Sequence, residues 1–443
     1  MSKTGPAFTI LTWGCQMNED DSEQIANLLM QMGYTPAEEE ADADIIMLNT
    51  CSVRAKPEQK VRSKLGALRE LKAENPDLII GVCGCMAQKE GKALRQRAPH
   101  IDLVVGTANI QRIPEMICDV LRRRHPLSSL DLPRAVKDEA TVPTRVLDRQ
   151  PAGLKSFVPI MYGCDNFCAY CVVPYVRGKE RSRPMSQVVE EVGMLATRGI
   201  KDVTLLGQNV NSYGAGSGED VDFPDLLRKL DSVQGIERIR YTTSHPKDFS
   251  DKLIAAMADL PRVCEHVHLP IQSGDDEVLK AMRRGYTADD YRRLVERLRR
   301  AIPDVALTTD FLIGFPGETE EQFAHTLLLA QEIRFDSAFM FAFNPIKNTA
   351  AASLPDQLPP KLKNERLRRL IEVQNAITVE INESSTGREF EVLVEGRSHK
   401  DAAKHTGLSR GNKTVNFIGE AAVGDLVQVR ATGGHLWGFT GEV

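Results

Sequence analysis

Several things are missing from this sequence, and each absence removes a class of protein. No apolar run approaches the ~20 residues of a membrane span. The opening MSKTGPAFTILTWGC has neither the charged nor the apolar region of a secretory signal. The expected location is therefore the cytoplasm. Basic residues are not in excess: 56 Lys and Arg stand against 61 Asp and Glu, for a net charge of -5. Any contact with nucleic acid must come from a local patch. An even cysteine count is also missing, since there are 9. An odd number in a reducing compartment argues against a disulfide framework and for metal binding or thiol chemistry.

What remains is an ordinary globular composition, 42% hydrophobic and 26% charged, spread over 443 residues. That length predicts about three domains. In the first part, FTILTW, DIIMLNT, LIIGVCG and IDLVVGT read as buried parallel strands. DSEQIANLLMQMG, PEQKVRSKLGALRELKAE and IQRIPEMICDVLRRR read as the helices between them. The pattern predicts a doubly wound α/β domain over residues 6–125. Residues 126–149 have no clear period and are rich in proline, serine and charge, so they read as a linker.

From residue 150 to 380 the alternation restarts with six strand candidates, SFVPIM, DVTLLG, RIRYTTS, CEHVHLP, ALTTDFLIG and SAFMFAF. Six units are too few for a closed eightfold barrel, so a partial (β/α)6 barrel is expected, with its chemistry at the carboxyl ends of the strands. A charged helix, PKLKNERLRRLIEVQNAITVEINESS, follows. Residues 381–443 then carry short alternating strands, EFEVLVEG, KTVNFIG and DLVQVRA, which predict a small β-barrel.

Cys164, Cys168 and Cys171 follow the first barrel strand in a C-x3-C-x2-C spacing. One loop of that spacing can wrap a cubane iron-sulfur cluster on three soft thiolates and leave the fourth iron open for a reactive ligand. A zinc site, or an electron-transfer cluster completed by a distant cysteine, is the alternative. Cys15, Cys51 and Cys85 are far apart in sequence, yet each follows one of the first three strands of the first domain. Parallel strands carry them to one sheet edge, where such folds bind ligands. An extended CGC would add Cys83 to the same face, so a four-cysteine zinc site is the alternative there. Cys118 and Cys264 sit in apolar periods and are expected to be buried packing residues.

The first group, with Tyr170 between its last two cysteines, resembles the motif of the radical S-adenosylmethionine enzymes. TWGCQMNEDD, LNTCSVRAKPEQK, GVCGCMAQKEG, YGCDNFCAYCVVPYVRGKERSRP, LLGQNVNSYG, TTSHP, HLPIQSGDDEVLKAMRRGYT and TTDFLIGFPGETEEQF together resemble the methylthiotransferases nearly end to end. The order around Cys15 and the Ser-Val-Arg after Cys51 are most similar to the branch acting on isopentenylated adenosine in tRNA. Two relatives are less similar, those acting on a ribosomal-protein aspartate and on threonylcarbamoyladenosine.

The resemblance implies two 4Fe-4S clusters. Cys164, Cys168 and Cys171 would hold the radical-generating one, and Cys15, Cys51 and Cys85 an auxiliary one. One S-adenosylmethionine would methylate a sulfur carried by the auxiliary cluster. A second would supply the 5'-deoxyadenosyl radical that takes hydrogen from C2 of adenine 37. Tyr170, Gln208, Asn209, Ser244, Gln272, Ser273 and Asp310 lie at strand ends where S-adenosylmethionine or the target nucleotide would be contacted. Asn211, His245, Gly274 and the GFPGE segment share those loops, and Pro174, Arg177 and Gly178 would shape the loop after the first cysteines.

The last domain resembles the TRAM domain, an RNA-binding barrel. Arg397, Lys400, Lys404, Arg410 and Lys413, with His399 and His405, form its basic stretch and are the expected RNA contacts. Arg181 and Arg183 are further candidates for phosphate. The family's arginine, glycine and Thr-Pro after the sixth strand are replaced here by FAFNPIKNTAAASL. A tRNA partner, a flavodoxin or ferredoxin as reductant, and a monomeric chain are implied. The competing reading of another class is an RNA-binding iron-sulfur sensor or electron carrier, which would not consume S-adenosylmethionine.

Overall fold

The structure, a computed structural model, describes residues 5–52, 55–133, 145–146, 153–215, 217–218 and 220–443. Most of the expected linker, 134–144 and 147–149, lies outside the described residues.

The first domain runs β1 (Ala7–Trp13), α1 (Gln16–Gln31), β2 (Thr35–Pro36), β3 (Ile45–Thr50), α2 (Ala55–Glu74), β4 (Ile79–Cys83), α3 (Cys85–Glu90), α4 (Lys92–Arg97), β5 (Leu103–Val105), α5 (Ile113–Arg123) and β6 (Leu127–Ser129). The sheet is parallel with order β2-β1-β3-β4-β5-β6. All six residues of β3 are buried, as a strand covered on both faces requires. Its side chains divide by period two. Ile46 and Leu48 pack with Val61, Leu65 and Leu68 of α2, whereas Ile45 and Met47 pack with Ile25 and Leu29 of α1 and Ile117 of α5. Two short strands were not legible in the pattern. β2 is a two-residue exposed edge, and β6 falls in the stretch read as linker because three residues after a proline show no period.

The second domain opens with β7 (Lys155–Pro159), β8 (Met161–Tyr162), α6 (Val173–Val176), β9 (Arg181–Ser182) and α7 (Met185–Thr197). It continues with β10 (Asp202–Leu206), α8 (Phe223–Asp231), β11 (Arg238–Thr242), α9 (Asp251–Asp259), β12 (His266–His268), α10 (Asp276–Ala281), α11 (Ala288–Ala301), β13 (Ala306–Ile313), α12 (Glu320–Ile333) and β14 (Ser337–Ala342). Two parallel ladders, β7-β10-β11 and β12-β13-β14, are joined by a bridge between Ile239 and Val263. The six expected strands thus form one open barrel in chain order. Val203, Leu205, Ile239, Tyr241, Val267 and Phe311 face the helices and make the largest core. The other strand face lines the lumen and is polar or half-exposed, including Thr204, Arg240, His268, Asp310 and Phe339.

α13 (Pro360–Glu383) leads into the last barrel of β15 (Glu389–Arg397), β16 (His405–Ser409), β17 (Thr414–Ile418), β18 (Leu426–His435) and β19 (Gly438–Glu442). Its strands close in the order β15-β16-β17-β19-β18. It is fastened beneath the amino ends of the large barrel's strands. Arg240 on β11 donates to the carbonyls of Arg410 and Ser409, and Arg238 donates to those of Leu408 and Glu391.

The first domain sits at the opposite, carboxyl end. The seam between them is ionic and buried: Arg145 spans Asp20 of α1 (2.6 Å) and Glu191 of α7 (3.1 Å), and Glu191 also holds Arg183 (2.7 Å). Removing one partner from such a network strands the other charges away from water, at a cost of about 3–5 kcal/mol. Glu191→Ala is therefore expected to lower the thermal unfolding midpoint clearly, whereas Glu296→Ala, whose partner Arg300 is exposed, should leave it nearly unchanged.

Candidate active site

Cys164 is placed by a close backbone approach. Gly163 adopts φ 78°, and a Cβ there would lie 2.1 Å from the Lys179 carbonyl, so only glycine lets the strand end meet the returning chain. Cys164 N then donates to Gly178 O at 3.3 Å. The loop rests on an apolar cluster of Ala169, Val278, Met282, Phe315 and Phe343, with Tyr170 packed against it. Cys171 Sγ accepts from Val173 N (3.4 Å), and Cys168 Sγ accepts from Arg284 Nη1 (3.4 Å). Burial pushes the Cys171 thiol up to about 12, with Cys168 beside it adding to the effect, and burial raises Cys164 too. Thiols in this state become ligands when a metal takes the proton's place.

The second group also forms. β1, β3 and β4 are neighbours in the sheet, so Cys15, Cys51 and Cys85 leave adjacent carboxyl ends. Cys51 is in hydrogen-bond contact with both of the others. These contacts lower Cys15 to about 5 and Cys85 to about 7, with the positive charge of Arg177 helping in both cases, while Cys51 is raised. Cys15 keeps solvent access although protein atoms crowd it. Asn18 accepts from Cys15 N (3.3 Å) and is itself tied to Asn49 on β3 (3.0 Å), which fixes the first cysteine loop to the central strand.

Cys83 does not join them. Gly84 turns away from extended backbone at φ 85°, so the alternation argument fails, and the Cys83 thiol points into the core towards Leu48 O (3.6 Å). The four-cysteine arrangement is thus absent from the structure. Among the described residues no three His, Cys, Asp or Glu side chains close around a single-ion point; thiolates that each take their own iron need no such point. Cys264 is buried as expected, but Cys118 is exposed, because Met116, Ile117 and Val120 take the inward side of α5.

The two groups adjoin across the domain seam. Cys85 shares an apolar cluster with Val172, Val176 and Ile346, and Val176 O accepts from Thr107 Oγ1 at 2.5 Å. Ile346 comes from the atypical loop after β14, so that loop packs between the groups. Arg177, at the end of α6, is buried against Asp21 of α1 (3.0 Å). Burial raises Asp21 to about 6 despite that arginine.

The expected cofactor residues divide into two sets. Gln208 Oε1 is taken by Gly163 N (2.5 Å), Asn209 is committed to Asp248 and to His245 N, and Ser273 Oγ lies against Thr326 and accepts from Asp275 N. Ser244 Oγ and His245 Nε2 are buried without a protein partner. His245 Nδ1 accepts from Lys247 N, and burial, with Arg284 and Lys247 nearby, drives the imidazole down to about 2. The ring is therefore neutral, with a donor at Nε2. Gln272 is held at φ 75°, Asp310 faces His268 across 3.5 Å in the lumen, and Tyr170 accepts from Arg284.

The basic residues also separate. Arg397 and Lys400 are exposed, and Lys404 pairs with Asp401 (3.3 Å). Arg410 and Lys413 are taken up by the seam with the large barrel, on Glu265 (2.7 Å) and Asp336 (2.6 Å). His405 is buried against Phe417. Arg181 and Arg183 are buried, so neither is an open phosphate contact.

An open parallel barrel carrying three cysteines after its first strand defines a radical S-adenosylmethionine enzyme, and the Radical SAM superfamily model matches residues 158–330. Residues 7–106 match Uncharacterized protein family UPF0004, and residues 383–443 match the TRAM domain. The tRNA-2-methylthio-N(6)-dimethylallyladenosine synthase of Moorella thermoacetica is 47% identical over all of this chain and 99% of that protein. The proteins of the same name from Pelotomaculum thermopropionicum and Carboxydothermus hydrogenoformans are 48% and 46% identical, each over 98% of this chain and 97% and 98% of theirs. The chain belongs to this family of tRNA-2-methylthio-N(6)-dimethylallyladenosine synthases. In fold it is similar to the radical S-adenosylmethionine methyltransferase TsrM of Kitasatospora setae, at TM-score 0.56 and 16% identity over 79% of this chain and 77% of that one.

The lowered Cys15 and raised Cys171 give an expected order of reactivity in iron-free protein. Alkylation mapped by mass spectrometry should label Cys15 already near pH 6, above its value of about 5, and leave Cys171 unlabelled until the solution is strongly alkaline.

Proposed function

We propose that this protein is a tRNA-modifying enzyme that places a methylthio group on C2 of N6-isopentenyladenosine 37, beside the anticodon. The observation that carries the reading is the juxtaposition of two three-cysteine groups across one seam, where Cys85 of one packs with Val172 and Val176, which follow Cys171 of the other, and with Ile346. An aromatic C–H bond is too weakly acidic for a general base, so a radical is a suitable tool. Cys164, Cys168 and Cys171 would hold one 4Fe-4S cluster and Cys15, Cys51 and Cys85 another. Once bound, these groups supply the electron that cleaves a sulfonium and the sulfur that is transferred.

The protein's own part is placement and charge. Arg177, anchored by Asp21, sets a buried positive charge beside Cys15 and Cys85 and favours their thiolates. Val172, Val176 and Ile346 exclude water between the two groups. Buried Ser244 Oγ and the His245 Nε2 donor each require a polar partner, which S-adenosylmethionine offers. Gln272 and Asp310 stand at the lumen wall for the cofactor or the base. Exposed Arg397 and Lys400, with Lys404, fit RNA phosphates. A flavodoxin or ferredoxin is a suitable electron source and the cytoplasm a suitable place; among the described residues no helix is long and apolar enough to cross a membrane.

Two outcomes test this reading. Anaerobic protein should contain about eight irons, and the Cys15→Ala, Cys51→Ala, Cys85→Ala variant about four. Nucleoside analysis of tRNA should find the 2-methylthio product only with the first. Four irons in both proteins, or methylthiolation of another substrate only, would sink it. In the last domain, Arg397→Glu with Lys400→Glu should weaken tRNA binding at low salt and flatten the salt dependence by about two in log-log slope.

A further inference from the structure

Arg284 is a buried arginine whose partners among the described residues leave its charge unanswered. α10 ends at Ala281, Arg283 takes left-handed backbone at φ 60°, and Arg284 N closes on Leu279 O at 3.0 Å. This is a helix-terminating turn that reverses the chain. Met282 O in the same turn accepts from Ala169 N (2.9 Å), so the turn is bound directly to the loop of Cys168 and Cys171.

Arg284 is 5% exposed, and each nitrogen of its guanidinium has a partner. Nε donates to Tyr286 OH (2.8 Å), Nη2 to Pro270 O (2.8 Å), and Nη1 lies between Tyr170 OH (3.3 Å) and Cys168 Sγ (3.4 Å). None of these is a carboxylate. Arg177, Arg183, Arg240 and Arg366 are comparably buried, and each faces one: Asp21, Glu191, Asp202 and Glu318. A buried cation without an anion is costly. The other partners of Arg284 are two phenol hydroxyls and a backbone carbonyl, which leaves the Cys168 sulfur as the one group in this shell that becomes an anion when it binds iron.

We propose that Arg284 is a positioning residue of the radical-generating site. It donates to the Cys168 thiolate and, by holding a fixed positive charge against that ligand, raises the reduction potential of the cluster, bringing it within reach of a one-electron donor. Hydrogen bonds to ligand sulfurs and local charge are among the factors that set such potentials. Tyr286 and Pro270 hold the guanidinium in place. The inference rests on the assignment of Cys164, Cys168 and Cys171 made above.

The test uses the full chain with Cys15, Cys51 and Cys85 replaced by alanine, so that one cluster is titrated. Its midpoint is read from the paramagnetic signal of the reduced state, with Arg284 intact and as Arg284→Lys and Arg284→Met. The ratio of reduced to oxidised cluster at a fixed potential should fall about tenfold in Arg284→Met, which is ~59 mV for a one-electron couple. A smaller fall is expected in Arg284→Lys, which keeps the charge but not the fork. Should Arg284→Met lose its iron, Arg284→Lys and Tyr286→Phe carry the comparison, both shifting the same way. Midpoints unchanged in the iron-containing variants would overturn the inference. Absence of a titratable cluster with Arg284 intact would instead overturn the cysteine assignment beneath it.

Discussion

Two adjacent aspartates near the start of one helix govern how this molecule is put together. Asp20 and Asp21 are buried against Arg145 and Arg177. A buried ion pair adds little net stability, because desolvation offsets most of the attraction, but breaking one strands a charge in a low-dielectric seam. Such pairs tolerate few alternative arrangements. Asp20 and Asp21 follow Cys15 by about one and a half helical turns, and Arg177 follows Cys171 by six residues. Whatever holds these pairs together also holds the two cysteine groups in register.

The seam completes what neither domain has alone. The doubly wound domain brings three cysteines to the carboxyl ends of adjacent strands, and the barrel brings three more to the end of its first. Arg177 comes from the barrel side and acts on the thiols of the other. Ile346, from the loop after β14, packs against Cys85, Val172 and Val176 at this seam.

The terminal barrel lies at the far end, under the amino ends of the large barrel's strands. Its Arg410 and Lys413 answer Glu265 and Asp336 there, so part of its positive charge is spent on attachment, while Arg397, Lys400 and Lys404 keep their side chains at the surface. The terminal barrel and the two cysteine groups therefore lie at opposite ends of the large barrel.

How much of this was legible depended on the range of the physics. Buried strands, amphipathic helices, the six-unit barrel and the C-x3-C-x2-C loop are written in local periods and spacings. The convergence of Cys15, Cys51 and Cys85 followed from strand direction alone. Other features are decided by neighbours that sequence does not bring together. Gly84 leaves extended backbone and turns Cys83 into the core, the inward stripe of α5 passes Cys118 by, and a glutamate from a different strand end turns Arg410 from an RNA ligand into a domain anchor. Arg284 shows the division most plainly: its place in AMRRGYT says only that a cation follows a helix, whereas its lack of a carboxylate and its contact with Cys168 exist only after folding. By itself the sequence determined the alternation of strands and helices, the C-x3-C-x2-C loop and the family, because those depend on local pattern. Which charges face each other, and across which seam, was decided by the tertiary structure, because burial sets the cost of every charge left unpaired.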